Sequence, residues 1–311
     1  MRYSLALASA LIAGVTFFRA SLTYAAPTTV RKSAGKILFT SSAPNQKPEI
    51  YSIRGDGSGL RKISRRPFVS MGAAWSPDKK SIVMAIATKV GIVQKRDVWR
   101  YNLAIMNTQS GVVRNINIAG HPKLKTYDAT FAPSGKEILF VGHTASSSSQ
   151  MYDLYQVRVD GSHLKRLTSN GSSGNGRFSR DGKKIVFCTL KKGQKNIYAM
   201  ASNARNRQQL TRSQHDQTPA WSPDGRKITF VSRRSGSYQI YSMNANGSGQ
   251  KQLTRTTGDS FVPTFSPDGK QISFNRSVGA TGQIFVMNAD GTHQKPITKN
   301  KNMNSYYPTW R

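Results

Sequence analysis

An aromatic residue followed by a proline- and glycine-rich turn recurs through the chain at a nearly constant interval, and this constrains the fold more than any other feature. The segments are Trp75-Ser76-Pro77-Asp78-Lys79, Phe131-Ala132-Pro133-Ser134-Gly135, Phe178-Ser179-Arg180-Asp181-Gly182, Trp221-Ser222-Pro223-Asp224-Gly225 and Phe265-Ser266-Pro267-Asp268-Gly269, with Trp310 as a sixth aromatic. Positions 75, 131, 178, 221, 265 and 310 lie 56, 47, 43, 44 and 45 residues apart. A period of that size marks one supersecondary unit repeated along the chain.

Each segment carries its own turn chemistry. Proline presets φ, Asp or Ser bonds the nearby backbone, and glycine takes a left-handed position, so the chain reverses there. A second strand follows, as in Glu137-Ile138-Leu139-Phe140, Lys184-Ile185-Val186-Phe187 and Lys227-Ile228-Thr229-Phe230. A third strand carries Ile50-Tyr51, Leu154-Tyr155, Ile197-Tyr198, Ile240-Tyr241 or Ile284-Phe285 and runs into Asp56-Gly57, Asp160-Gly161, Asn246-Gly247 or Asp290-Gly291. These dipeptides predict type I′ turns leading to a short fourth strand such as Gln252-Leu253-Thr254. Four antiparallel strands per period make one propeller blade, so the expected fold is all-β, a six-bladed β-propeller.

The first of these strands, Lys36 to Thr40, matches the one that elsewhere follows the turn, whereas Tyr307-Pro308-Thr309-Trp310 matches the one before it. The two ends are therefore expected to share a blade, which removes the exposed edges of an open stack.

The pattern Ile-Tyr-x-Met-Asn-Ala-Asp-Gly, then Leu-Thr, then Trp-Ser-Pro-Asp-Gly-Lys resembles the WD40-like (PD40) repeat of TolB-type propellers, from Gly35 to Arg311 and most closely from Lys184 to Lys270. The resemblance implies a periplasmic, non-enzymatic platform in the cell envelope that docks a protein such as a peptidoglycan-associated lipoprotein. TolB carries an α/β domain ahead of its propeller; here residues 26–34 read as a short linker and 35–311 as propeller, so the expectation is a propeller alone. The second repeat diverges, with Leu103-Ala104 at the Ile-Tyr position and an insertion near Gly91 to Trp99. The fourth has Ser202-Asn203-Ala204-Arg205 in place of Asp-Gly.

Residues 1–25 read as a cleaved secretory signal, with Arg2, an apolar run from Leu5 to Phe18, and Ala25-Ala26. That run is shorter than the ~20 residues of a membrane-spanning helix. The chain carries a net charge of +32, which raises a positive potential and draws anionic polymers or acidic proteins. Specific nucleic-acid binding is not expected of an exported chain. The loops joining strand four to the next blade, and strand two to strand three, share one face. On it the candidate partner-binding residues are Arg65, Arg66, Lys95, Arg96, Trp99, Tyr101, Lys123, Lys125, Tyr127, Arg212, Arg233, Arg234, Arg255, Phe261 and Tyr306. Trp99 and Tyr101 sit in or beside the insertion and break the period, whereas Trp75, Trp221 and Trp310 follow it and are expected in the core.

The sequence holds no recognisable catalytic constellation. Serines lack a Gly-x-Ser-x-Gly elbow, and Asp56, Asp78, Asp160, Asp181, Asp224, Asp268 and Asp290 are accounted for by turns. The five histidines show no zinc spacing, although His121, His143 and His215 fall on loops of the same face in this reading, which keeps a metal-dependent polysaccharide lyase or hydrolase of related architecture as the alternative. No cofactor is expected. Cys188 is the single cysteine and is assigned to the core.

Overall fold

The computed structural model describes residues 35–65, 69–93, 96–121, 124–144, 152–299 and 302–311, with the side chains of 69–71, 88–93, 96–100 and 144 outside the description. The signal and linker assigned to residues 1–34 lie outside the described residues, as do Arg66, Lys95 and Lys123 and the side chains of Arg96 and Trp99.

Twenty-four strands form six four-stranded antiparallel sheets. Blade 1 contains β1 (Lys36–Ser42), β2 (Glu49–Arg54) and β3 (Arg61–Lys62). Blade 2 is β4 (Val69–Trp75), β5 (Ser81–Val93), β6 (Arg96–Asn107) and β7 (Val113–Asn115); blade 3 is β8 (Leu124–Phe131), β9 (Glu137–Thr144), β10 (Tyr152–Arg158) and β11 (Lys165–Arg166). Blade 4 is β12 (Ser173–Phe178), β13 (Lys184–Lys191), β14 (Gln194–Ala201) and β15 (Gln208–Gln209); blade 5 is β16 (Asp216–Trp221), β17 (Lys227–Ser232), β18 (Gln239–Asn244) and β19 (Lys251–Gln252). Blade 6 is β20 (Ser260–Phe265), β21 (Gln271–Val278), β22 (Thr281–Asn288) and β23 (Lys295–Pro296). Finally β24 (Asn304–Trp310) pairs with β1 and completes blade 1, as expected from the two ends of the repeat. Among the described residues no helix is long and apolar enough to cross a membrane.

The repeat motifs act as local locks. The serine of Ser-Pro-Asp-Gly donates to the aspartate, 2.6 Å for Ser222 Oγ to Asp224 Oδ1, and accepts the amide five residues on, 2.9 Å from Lys227 N. These hydroxyl and amide bonds hold the Asp224 carboxyl below its ordinary pKa. The threonine of Leu-Thr accepts the amide opening the apolar part of the third strand: Leu154 to Thr168, Ile197 to Thr211, Ile240 to Thr254 and Ile284 to Thr298, at 2.9–3.0 Å. The Phe and Tyr of facing strands stack directly opposite each other, as Phe230 on Tyr241 at 5.7 Å.

The core lies between blades rather than within any one. Phe131, Ile138, Phe140 and Tyr155 of blade 3 pack with Val83 and Leu103 of blade 2, and Ile37 and Phe39 of blade 1 pack with Ile284 and Val286 of blade 6. Phe140, Phe187, Phe230 and Phe274 are fully buried, each contributing about 2–3 kcal/mol through removal from water.

Two local readings change. The Asp-Gly and Asn-Gly turns are not type I′: at Asp56-Gly57 the Gly57 amide bonds Arg54 O, Arg54 N bonds Ser58 O, and among the turn's central residues the left-handed φ falls on Gly57 and not on Asp56. This is a type I turn followed by a left-handed bulge residue, and Asp56 accepts the Ser58 amide at 2.8 Å. The fourth repeat keeps the same turn with Ala204 at φ 70° in the glycine position. The inserted segment of the second repeat is an extension of one hairpin, with β5 paired to β6 from Ser81–Asn107 out to Val93–Arg96.

Candidate functional site

Because the strands alternate in direction, connections one-to-two and three-to-four lie at one end of every blade, and two-to-three and four-to-one at the other. The latter is the loop face of the sequence analysis. The innermost strands β4, β8, β12, β16, β20 and β24 start at this face and line the central channel.

Each inner strand breaks register with its neighbour at the same place, as between Tyr127 and Thr130 or between Gly174 and Arg177. One residue in each break has left-handed φ: Gly72 (82°), Asp128 (45°), Asn175 (52°), Thr218 (49°), Val262 (51°) and Tyr307 (57°). Each stands three residues before the repeat aromatic, so six equivalent bulges form a ring around the axis. Five are not glycine and two are β-branched, a conformation that persists where the surrounding structure over-determines it.

Below the ring the channel narrows to a cavity of about 220 Å³ lined by residues including Trp75, Trp221 and Trp310. Their indole N–H groups are buried without a protein partner. Above it the loop face opens into a funnel of about 650 Å³ whose lining includes Tyr127, Tyr152, Asn175, Arg177, Lys195 and Thr218.

A polar network crosses the funnel floor. Arg177 Nη2 donates to Asp128 Oδ1 at 2.8 Å, and Asn175 Nδ2 donates to Asp128 Oδ2 at 3.0 Å. Cys188 Sγ donates to Asn175 Oδ1 at 3.3 Å, and burial pushes its thiol up to about 11. Cys188 is buried, as its apolar sequence context implies. Thr218 Oγ1 is buried without a partner. Along one wall Tyr101 meets Tyr127 at 4.9 Å and Tyr127 meets Tyr152 edge-on at 5.9 Å, with His143 against Tyr152 at 5.1 Å. Burial, then the neighbouring Tyr152 and Tyr101, pushes the Tyr127 hydroxyl up to about 12.

Of the residues assigned to this face from sequence, Arg65, Arg212 and Arg255 are exposed, while Tyr101, Lys125, Tyr127, Phe261 and Tyr306 are half-buried around the mouth. Arg233 packs over Tyr238 at 5.7 Å. Arg234 is engaged within the fold, with its guanidinium bonded to Asp216 and seated over Tyr241 at 4.8 Å. His143 lies in β9, buried, rather than in a loop; burial and then Lys125 lower its pKa. His121 and His215 are exposed, and among the described residues no group of His, Cys, Asp or Glu is placed to hold a metal ion. Sequence reasoning missed Asp128, Asn175, Arg177, Tyr152 and Thr218, while Lys195 falls on this face from sequence as well; the signal that locates the ring is the offset of three residues before each repeat aromatic.

Comparison with known proteins places these repeats. The family model described as the TolB beta propeller domain (PD40) matches residues 217–311. The chain is 27% identical over 53% of its length to a protein TolB homolog of Chlorobium luteolum, and 24% identical over 49% to the Tol-Pal system protein TolB of Wolinella succinogenes. It spans 34% of the length of each of these relatives. The crystal structure of TolB from Acinetobacter baumannii superposes with a TM-score of 0.73 at 22% identity, covering 90% of this chain and 67% of that one. Residues 217–311 thus match the TolB-type PD40 propeller, and the six-bladed ring is a fold that this chain shares with TolB.

Proposed function

We propose that this chain is an exported, non-enzymatic binding platform of the cell envelope that docks a protein partner, such as an envelope lipoprotein, on its loop face. The observation that carries the reading is the TolB-type repeat itself, joined to a loop face with exposed cations at Arg212 and Arg255. One matched relative is named for the Tol-Pal system. An excess of 46 basic over 14 acidic residues favours an acidic partner and speeds encounter with one. The apolar run of residues 5–18 supports export to the periplasm.

The test is capture from envelope extract on the immobilised chain, read by mass spectrometry. The expected result is enrichment of a lipoprotein, weakened by the double variant Arg212→Glu, Arg255→Glu and by salt, because rim charges act mainly through screened long-range attraction. Recovery of a polysaccharide that is cleaved during incubation would overturn the reading in favour of a lyase or hydrolase.

A further inference from the structure

The funnel is not six-fold regular. Immediately before the ring residue the inner strands present Tyr127, Gly174, Gln217, Phe261 and Tyr306 among the described side chains. Blade 4 thus lacks the side chain its neighbours place at the mouth. The backbone does not demand glycine there: Gly174 is not left-handed, and an added Cβ would meet Val141 Cγ2 at 3.9 Å, an ordinary contact. The missing side chain leaves a gap opening into the cavity of about 650 Å³, walled by Tyr127, Tyr152, Leu190 and Lys195. Leu190 keeps 42% of its surface exposed there.

We propose that this gap is a binding site for a saccharide ring, with preference for a carboxylated sugar. A sugar ring has an apolar C–H face and a rim of hydroxyls, and so needs a flat aromatic surface beside paired donors and acceptors. Tyr127 and Tyr152, edge to face at 5.9 Å, supply the first. The floor supplies the second. Asp128 accepts from Arg177 and Asn175 and retains free lone pairs, since an ionised carboxylate has about four acceptor sites. Arg177 also donates to Gly176 O at 2.7 Å, leaving further N–H groups for a ligand hydroxyl. Thr218 Oγ1 is buried and has no protein partner.

The charge preference comes from Lys195, whose ammonium reaches Gln217 Oε1 at 3.4 Å and keeps other donors for a ligand carboxylate. Lys125 stands opposite His143 on the same wall. The cavity volume falls within the range of about 300–1,000 Å³ typical of small-ligand pockets. An aromatic side chain from a peptide would fill the same gap, but a phenyl ring pairs with none of Asp128, Arg177 and Thr218, and the single hydroxyl or N–H of tyrosine or tryptophan cannot satisfy all three, so the remainder is desolvated at a cost. The site stands independently of the protein-docking reading.

Calorimetric titration of the full chain with an alginate tetrasaccharide and with maltotetraose tests it. The uronate is expected to bind at least roughly tenfold tighter than the neutral sugar. Lys195→Gln should erase that preference. Gly174→Tyr, which installs the side chain of blades 3 and 1, should abolish binding with the thermal midpoint kept. Thr218→Val, equal in shape but without the hydroxyl, provides a second reading and should weaken binding by roughly tenfold. Binding of the uronate unaffected by both Gly174→Tyr and Thr218→Val overturns the proposal. So does absence of saccharide binding, with or without binding of a tryptophan-containing pentapeptide. Loss of envelope-protein capture alone leaves it standing.

Discussion

Arg234 reaches across blade 5 to Asp216, placing Nη2 3.2 Å from both carboxylate oxygens of a side chain that is fully buried. The same guanidinium bonds Ser213 and Gln250 and lies over the Phe230 ring at 5.4 Å. Removing it strands a buried carboxylate, so Arg234→Ala should destabilise the ring by about 3–5 kcal/mol. Arg234→Lys should recover little, because an ammonium cannot reproduce a planar fork that is both stacked and multiply bonded. Denaturant titration of the two variants, and of each with Asp216→Asn, checks this. A loss below about 1 kcal/mol for Arg234→Ala would return the residue to the pool of free surface cations.

Lys79 and Ala204 occupy left-handed turn positions that glycine fills in other repeats. Lys79 has φ 63° where Gly135, Gly182, Gly225 and Gly269 have 69–71°, and Ala204 has φ 70°. Left-handed geometry costs an L-residue roughly 1–2 kcal/mol, partly offset by the greater unfolded freedom of glycine. Lys79→Gly and Ala204→Gly should each stabilise by about 0.5–1 kcal/mol, and additively, as the turns lie in different blades. Thermal midpoints of the single and double variants measure both magnitude and additivity. In the opposite sense, Gly161→Ala should be severe, because an added Cβ would stand 2.0 Å from Asn117 O.

His143 titrates against folding. Burial, then the charge of Lys125, holds its folded pKa below the ordinary 6.5. The unfolded chain therefore binds a proton that the folded one refuses, and stability falls as pH drops below about 6.5 until the folded pKa is passed. His143→Gln should flatten that segment of the stability–pH curve. Unfolding midpoints between about pH 7.5 and pH 5 report the slope, and identical slopes for wild type and variant would remove His143 as its source.

Ring closure depends on β24. Deleting residues 306–311 removes most of the pairing with β1 and exposes Ile37 and Leu38, both fully buried. Cooperative unfolding should be lost, giving a broad transition at much lower temperature by calorimetry. An unchanged midpoint would mean that five blades hold the ring without the sixth being closed.

The ring was legible from the aromatic-turn motif because Trp75, Phe131, Phe178, Trp221, Phe265 and Trp310 each have a packing reason to recur, and packing preserves residue type. The candidate mouth was legible only in part. Its six ring positions hold Gly, Asp, Asn, Thr, Val and Tyr, with no shared chemistry to betray a common place; backbone register, not side-chain type, unites them. Nothing in Phe140-Val141-Gly142-His143 marks how far β9 extends, so from sequence alone His143 reads as a loop residue. The Asp-Gly turns are ambiguous in sequence for a related reason. The dipeptide suits both hairpin geometries, and the choice is made where pairing stops, at Ser52 with Arg61.

The hydroxyls of Ser41 and Ser305 meet at 3.0 Å across 264 residues of chain. Within each other blade, by contrast, every strand pairs with a sequence neighbour. The ring thus contains a built-in delay. β1 is made early and must keep its edge open until β24 has been synthesised, so closure is the slow, non-local step. In that interval an unpaired strand is presented to any passing chain. That edge stays open for as long as the chain between Ser41 and Ser305 takes to be made and folded.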